Sequence, residues 1–232
     1  MKTVRLIEFF NWTWQGEGED SGKKMLLLRF KHCNRAHGYL VKNGLKACRY
    51  CDTLTKMSVV QEAEYAIKDI QTAIEENNLA VMISGGEPGF GINLQSTIDI
   101  VNLTKSYLYN IETNGCDLEK LIDGIHKQKN VKFMLSPKLF TEDDFNYYAD
   151  LLDKVKDNDK VKIKLVYEED NPLIIKFLLY LQKINFDNNK LWLMPEGKNM
   201  VELIKNSPCV FDASEKYKAN FSSRNHIVYN FT

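Results

Sequence analysis

Net charge is missing from this chain. Its 31 Lys plus Arg balance 31 Asp plus Glu over 232 residues, so no global field draws it to nucleic acid or an anionic membrane, and any anion binding must be local. Long apolar runs are missing too: the longest stretch, Pro172 to Leu181, is interrupted by Lys176 and is too short to span a bilayer. The opening segment MKTVRLIEFFNWTWQGEGED has no extended apolar core and no small-residue cleavage site, and a cytoplasmic protein is expected. A disulfide framework is excluded by cysteine arithmetic, because the five cysteines are odd in number and three crowd into Cys33, Cys48 and Cys51. No internal repeat and no Pro/Ser-rich linker divides the chain, so one domain over residues 1–232 is expected. What is present, 44% hydrophobic and 27% charged residues, excludes intrinsic disorder and supports a sizeable core.

From about residue 79 onward short β-branched runs alternate with longer amphipathic stretches, the pattern of βα units. Six strands are expected: 25–30, 80–84, 107–112, 131–136, 161–166 and 191–196. Helices are expected around 59–77, 93–105, 117–128, 141–155, 171–184 and 199–206, with right-handed crossovers between parallel strands. Residues 3–10 read as an extra hairpin closing through the Gly-rich turn QGEGEDSG. The chemically interesting residues follow the strands: Cys33 the first, Gly85, Gly86 and Glu87 the second, Thr113, Asn114 and Gly115 the third, Pro137 and Lys138 the fourth, Pro195 and Glu196 the sixth. In barrels and open parallel sheets the carboxyl ends of the strands form the binding face, and five loops are expected to converge there.

Each constellation has a chemical and a structural reading. Cys33, Cys48 and Cys51 suit an iron–sulfur cluster with one open iron, and they equally suit a structural zinc completed by His32 or His37. SGGEP (84–88) offers two glycines for close ligand approach and a carboxylate able to accept from an ammonium group, or it is a turn. ETNG (112–115) and SPK (136–138) are open in the same way, and Glu17 in QGEG (15–18) faces solvent if that segment is only a turn. Arg29 sits inside the apolar run MLLLRF, where an unpaired guanidinium is costly, so it must pair with a carboxylate of the protein or of a ligand. His226 reads by itself as a satisfied histidine, Cys116 and Cys209 as core or surface thiols, and Trp12 with Trp14 as hairpin packing.

Taken in order, QGEG, LRFKHCN, CRYCDT, SGGEP, ETNG, SPK and LMPEG together resemble the 7-carboxy-7-deazaguanine synthase family of radical S-adenosylmethionine enzymes, over nearly the whole chain. The resemblance implies an α/β fold, a partial (β/α)6 TIM-type barrel with an N-terminal hairpin extension. It implies a homodimer that converts 6-carboxy-5,6,7,8-tetrahydropterin to 7-carboxy-7-deazaguanine with loss of ammonia, in the route to queuosine and related deazapurines, with an electron donor such as flavodoxin and no nucleic-acid or membrane partner. Carried over position by position, Cys33, Cys48 and Cys51 hold a 4Fe-4S cluster. Tyr50, Cys51, Asp52, Gly85, Gly86, Glu87, Thr113, Asn114, Ser136, Pro137 and Lys138 line the S-adenosylmethionine site, with Met194, Pro195, Glu196 and Gly197 flanking the adenosine. Trp14, Gln15, Gly16, Glu17, Arg29 and Ser84 face the pterin, His226 and the terminal carboxylate of Thr232 fold over it, and the Thr53 hydroxyl binds Mg2+. Two departures stand out: fourteen residues separate the first two cysteines, as in a minority form with an insertion, and Ser84 replaces the usual Thr while keeping its hydroxyl. A glycyl-radical-enzyme activase and a non-enzymatic zinc-stabilised binding module are the alternatives.

Overall fold

The computed structural model describes residues 2–36, 48, 51 and 60–231, with backbone only for Phe10 and Asn11. The expectations placed on His37, Tyr50, Asp52, Thr53 and Thr232 therefore lie outside the described residues. The chain forms two compact units, each built from two stretches of sequence: Met1–Thr13 with Lys24–Phe133, and Trp14–Lys23 with Met134–Thr232.

In the first unit, β1 (Thr3–Leu6), β2 (Glu8–Trp14) and β3 (Lys24–Phe30) precede β4 (Ala63–Ala66), α1 (Ile67–Asn77), β5 (Ala80–Gly85), α2 (Ile92–Leu103), β6 (Tyr109–Thr113) and α3 (Leu118–Gly124). The strands stand in the order β2-β3-β5-β6. β3, β5 and β6 run parallel, with Leu26 opposite Val81, Leu28 opposite Ile83 and Arg29 opposite Ser84. The runs MLLL and AVMI are buried along their whole length, which suits strands of a parallel sheet covered on both faces and explains why they read as continuous rather than alternating. Ile70 and Ile74 of α1 and Ile100 and Val101 of α2 are buried with them. Each fully buried side chain of this kind contributes about 1.5–3 kcal/mol.

β7 (Val131–Leu135) carries the chain from the first unit into the second. There α4 (Glu142–Val155), β8 (Val161–Tyr167), α5 (Pro172–Lys183), β9 (Leu191–Pro195), α6 (Met200–Tyr217), β10 (Asn220–Phe221) and α7 (Asn225–Val228) follow. β8, β9 and β10 are parallel neighbours. Local chemistry sets where the helices begin. Thr141 and Asp144 form a capping box on α4, Asn171 caps α5 ahead of Pro172, and the Asn199 side chain accepts from the Glu202 N–H at the start of α6. Ile174, Phe177, Leu178 and Leu181 make the buried stripe of α5 at helical spacing.

All six expected strands are present, and the expected α/β class holds. The N-terminal hairpin is drawn differently. A single residue, Ile7, separates β1 from β2, too little for the two-residue loop a tight reversal needs. β1 instead pairs antiparallel with β4, Val4 opposite Tyr65, and the hairpin arms are β2 and β3, closed by the turn 15–23. α6 also runs to Tyr217, through Pro208, where a helix ending near 206 is expected from the sequence.

Candidate functional site

In the first unit the loops after β3, β5 and β6 are bonded to one another. The Gly86 N–H donates to Phe30 O at 2.7 Å and the Glu87 N–H to His32 O at 2.7 Å, which fastens the SGGEP turn onto the segment leading to Cys33. Both glycines are required by this approach. A Cβ on Gly85, whose φ is +104°, would stand 2.4 Å from Phe30 O, and one on Gly86 would stand 2.1 Å from His32 O. The absent Cβ atoms thus let the protein's own backbone pack against this turn. Glu87 is likewise engaged by the protein: it is 1% exposed, and its carboxylate accepts from Thr113 Oγ1 at 2.5 Å, the Asn114 N–H at 2.6 Å and the Gly89 N–H at 3.0 Å. These bonds tie ETNG to SGGEP through one carboxylate.

Asn114, so held, donates from Nδ2 to Asn34 Oδ1 at 2.8 Å and to Cys33 Sγ at 3.8 Å, while the Arg35 N–H reaches the same sulfur at 3.3 Å. Burial pushes the Cys33 thiol up to about 12, and the neighbouring Glu87, Cys51 and Cys48 add to this against the Arg35 N–H. Cys33, Cys48 and Cys51 are reduced thiols near enough to feel one another's charge. They are not drawn into a ready coordination shell, since among the described residues no three His, Cys, Asp or Glu side chains are gathered to hold a metal ion. The donor set still fits the cluster read from sequence: three thiols with N–H donors aimed at one sulfur are the arrangement that binds and tunes iron–sulfur centres. His32, the alternative zinc ligand, stands 3.5 Å from Glu62.

Arg29 finds a protein partner, pairing with Glu8 on β2. Both side chains are largely buried, at 15% and 11% exposure, so the protein itself supplies the carboxylate that the apolar strand demands. Of the two partners the sequence left open for Arg29, a protein carboxylate is thus present. Ser84 lies directly opposite Arg29 on β5 and is half-buried. Trp12, half exposed, stacks under Lys24 at 4.5 Å, which accounts for it as hairpin packing.

The second unit gathers the QGEG turn against the C-terminal segment. Glu17 Oε2 receives Lys164 Nζ at 2.7 Å, Oε1 receives Arg224 Nε at 2.8 Å, and His226 Nε2 stands 3.8 Å from Oε1. The Asn225 N–H donates to Gly16 O at 2.9 Å, and the Gly18 N–H donates to Ser222 Oγ at 2.7 Å. A Cβ on Gly16 would fall 2.3 Å from His226 Nδ1, so only glycine admits that imidazole. Burial would raise the Glu17 carboxyl, but Lys164, Arg224 and His226 outweigh it and hold the group well below its ordinary 4.5. Glu17 is therefore an ionised, largely buried carboxylate, its side chain 13% exposed, and not a solvent-facing turn residue.

Gln15 is 4% exposed and its Oε1 accepts from the Glu17 N–H, while Trp14 is 44% exposed. Lys138 Nζ donates to Ser136 Oγ at 2.8 Å beside buried Pro137. Met194, Pro195 and Gly197 are buried and Glu196 is half-buried, and the Gly197 carbonyl accepts from Arg224 Nη1 at 2.8 Å. Lys164 and Arg224 were not expected from the sequence. Lys164 carried a signal, a cation inside the apolar strand VKIKLV, which is the same anomaly that singled out Arg29; Arg224, in SSRN, carried none.

Parallel βα units and three cysteines that follow β3 define an α/β chain with a thiol set beyond its first parallel strand. No protein-family profile matches the chain. The fold is that of QueE from Escherichia coli, whose crystal structure superposes over 97% of this chain and 95% of that one, with a TM-score of 0.57 and 16% identity. Streptococcus suis SuiB bound to its precursor peptide SuiA shares the fold over 69% of this chain and 42% of that chain, with a TM-score of 0.51 and 17% identity. In sequence, the chain is similar to a 7-carboxy-7-deazaguanine synthase from Clostridium acetobutylicum, 30% identical over 104 residues. That match spans 43% of this chain and 41% of the relative's length, and the relative bears the name of the family the motifs resemble. Among the described residues no helix is long and apolar enough to cross a membrane.

Proposed function

We propose that the chain is a radical S-adenosylmethionine lyase that converts 6-carboxy-5,6,7,8-tetrahydropterin to 7-carboxy-7-deazaguanine and ammonia. The observation that carries this reading is that one chain combines a thiol set, with Cys33 bonded into the SGGEP and ETNG loops, with a buried, ionised Glu17 in the QGEG turn. The curated relative of that name supports the same reading.

In this reading Cys33, Cys48 and Cys51 hold the 4Fe-4S cluster, and residues of SGGEP, ETNG, SPK and LMPEG hold S-adenosylmethionine. When bound, the cluster and S-adenosylmethionine supply a one-electron cleavage that removes a hydrogen atom from the substrate. The chain's own residues bind, orient and exclude water. Asn114 and the Arg35 N–H donate to the Cys33 sulfur and would orient it as a cluster ligand. Ionised Glu17, held by the two cations beside it, accepts from N–H groups on the pterin edge. Gly16 lets His226 lie against the turn, so the C-terminal segment covers Glu17. Mg2+ bound in part by Thr53, a homodimeric state, an electron donor such as flavodoxin and a cytoplasmic location complete the proposal.

The test is anaerobic reconstitution with iron and sulfide, followed by incubation with 6-carboxytetrahydropterin, S-adenosylmethionine and a reductant, with and without Mg2+. Formation of 7-carboxy-7-deazaguanine is expected. Brown protein that cleaves S-adenosylmethionine but leaves the pterin intact would point to another radical chemistry, and colourless zinc-bound protein would overturn the reading altogether.

A further inference from the structure

Glu17 is buried among charges it did not need in order to fold a turn. The turn already has its own backbone closure, the Gln15 N–H donating to Lys23 O and the Gly22 N–H to Gln15 O, both at 2.8 Å. A carboxylate taken out of water costs several kcal/mol unless it is paired and hydrogen-bonded. In this turn each of its oxygens receives one charged donor. Lys164, 7% exposed, comes from β8, and Arg224, 3% exposed, comes from the segment before α7. Arg224 does not float: its Nη1 is fixed by Gly197 O at 2.8 Å, so the guanidinium plane is set by the loop after β9 and in turn sets the carboxylate.

We infer that Lys164 and Arg224 are positioning residues that keep Glu17 ionised and in one orientation, leaving its remaining lone pairs to take adjacent N–H donors of a heterocyclic substrate. The inference rests on the proposed pterin reading for the identity of that substrate, not for the geometry. An ionised carboxylate offers about four lone-pair sites, and the two cations occupy one on each oxygen. That leaves one site on each oxygen, with His226 Nε2 3.8 Å from Oε1, and an aminopyrimidinone edge presents adjacent N–H donors that can be met one per oxygen. The charged groups that act on Glu17 are Lys164 from β8 and Arg224 and His226 from the C-terminal segment; Glu19 and Asp20 on the same turn are paired with Lys162 and Lys23. Removing either direct cation leaves burial less opposed, so the carboxyl becomes easier to protonate and free to turn.

The experiment uses the full chain with its cluster reconstituted, as wild type and as Arg224→Gln, Lys164→Met and the conservative Arg224→Lys. Carbon-13 labelling of glutamate side chains, with Glu17 assigned from Glu17→Gln, reads its titration directly. Fluorescence titration with pterin-6-carboxylate between pH 5 and 7.5 reads binding, and Glu17→Gln removes the probe's own titration from the comparison. Wild type should show no Glu17 titration above pH 4 and a flat affinity profile. Arg224→Gln and Lys164→Met should move the Glu17 midpoint upward and make affinity fall toward the acid end of the range relative to pH 7.5. Arg224→Lys, which keeps the charge but not the bond to Gly197, should keep the midpoint low while binding weakens equally at all pH values. A Glu17 midpoint unmoved in folded Gln and Met variants overturns the inference. A shifted midpoint in a protein whose wild type ignores the pterin upholds the positioning role and overturns the pterin reading instead.

Discussion

Glu87 offers the sharpest separation between a ligand-binding and a structural carboxylate. Replace it with Gln, which has the same shape. Oε1 accepts from Thr113 Oγ1 and the Gly89 N–H, and Oε2 accepts from the Asn114 N–H. The Thr113 hydroxyl can reverse its role, but the two backbone N–H groups cannot. Whichever way the amide is turned, its NH2 meets one of them, and a buried donor is left facing a donor, at about 1–3 kcal/mol. Truncation in Glu87→Ala strands all three donors and opens a gap, and should cost about 3–5 kcal/mol. For a chain of this length each kcal/mol moves the melting point by roughly 2–4 °C, so Glu87→Gln should melt several degrees lower and Glu87→Ala lower still. Urea denaturation of reconstituted protein, with S-adenosylmethionine titrated in parallel, is the assay. If Glu87→Gln keeps wild-type stability but loses S-adenosylmethionine, the carboxylate serves the ligand and its structural role is refuted.

Three other outcomes are expected. Cys33→Ala, Cys48→Ala and Cys51→Ala should each lose iron on reconstitution, while Cys116→Ser and Cys209→Ser keep it; iron and sulfide analysis decides, and iron lost with either outlying cysteine would contradict the assignment. Gly86→Ala should be destabilised severely, because its methyl would press on the His32 carbonyl at 2.1 Å, whereas Gly91→Ala meets nothing within 4 Å and suffers only from its positive φ; thermal melts of the two should differ widely. Glu17 has a depressed folded value, so the stability it contributes is fully present above its ordinary 4.5 and is lost as pH falls through the lower folded value. Acid titration of wild type against Glu17→Gln should show the difference in stability vanishing only well below pH 4.5, and a difference that disappears between pH 5 and 6 would refute the pairing.

The six strands were legible because a strand buried on both faces must be continuously apolar, and the chain advertises each one between turn residues. The cysteine set and the turn motifs were legible because their chemistry is local: thiols bind soft metals and glycines mark tight backbone wherever they fall. Arg29 declared its need for a carboxylate, since a cation in an apolar strand must be paired, but the sequence holds many carboxylates and only the pairing of β2 with β3 selected Glu8. The same limit hid the partners of Glu17, because Lys164 and Arg224 are 147 and 207 residues away along the chain and meet it only through folding. Helix α6 passed through Pro208 against its local signal, since Leu203, Val210, Ala213, Ser214 and Tyr217 keep one face buried and outweigh the single lost backbone bond. Sequence by itself determined the strand periodicity and the chemical inventory, whose physics is short-range. Tertiary structure decided which charge meets which and whether a glycine serves a ligand or a neighbouring strand, because those energies depend on distances that only packing sets.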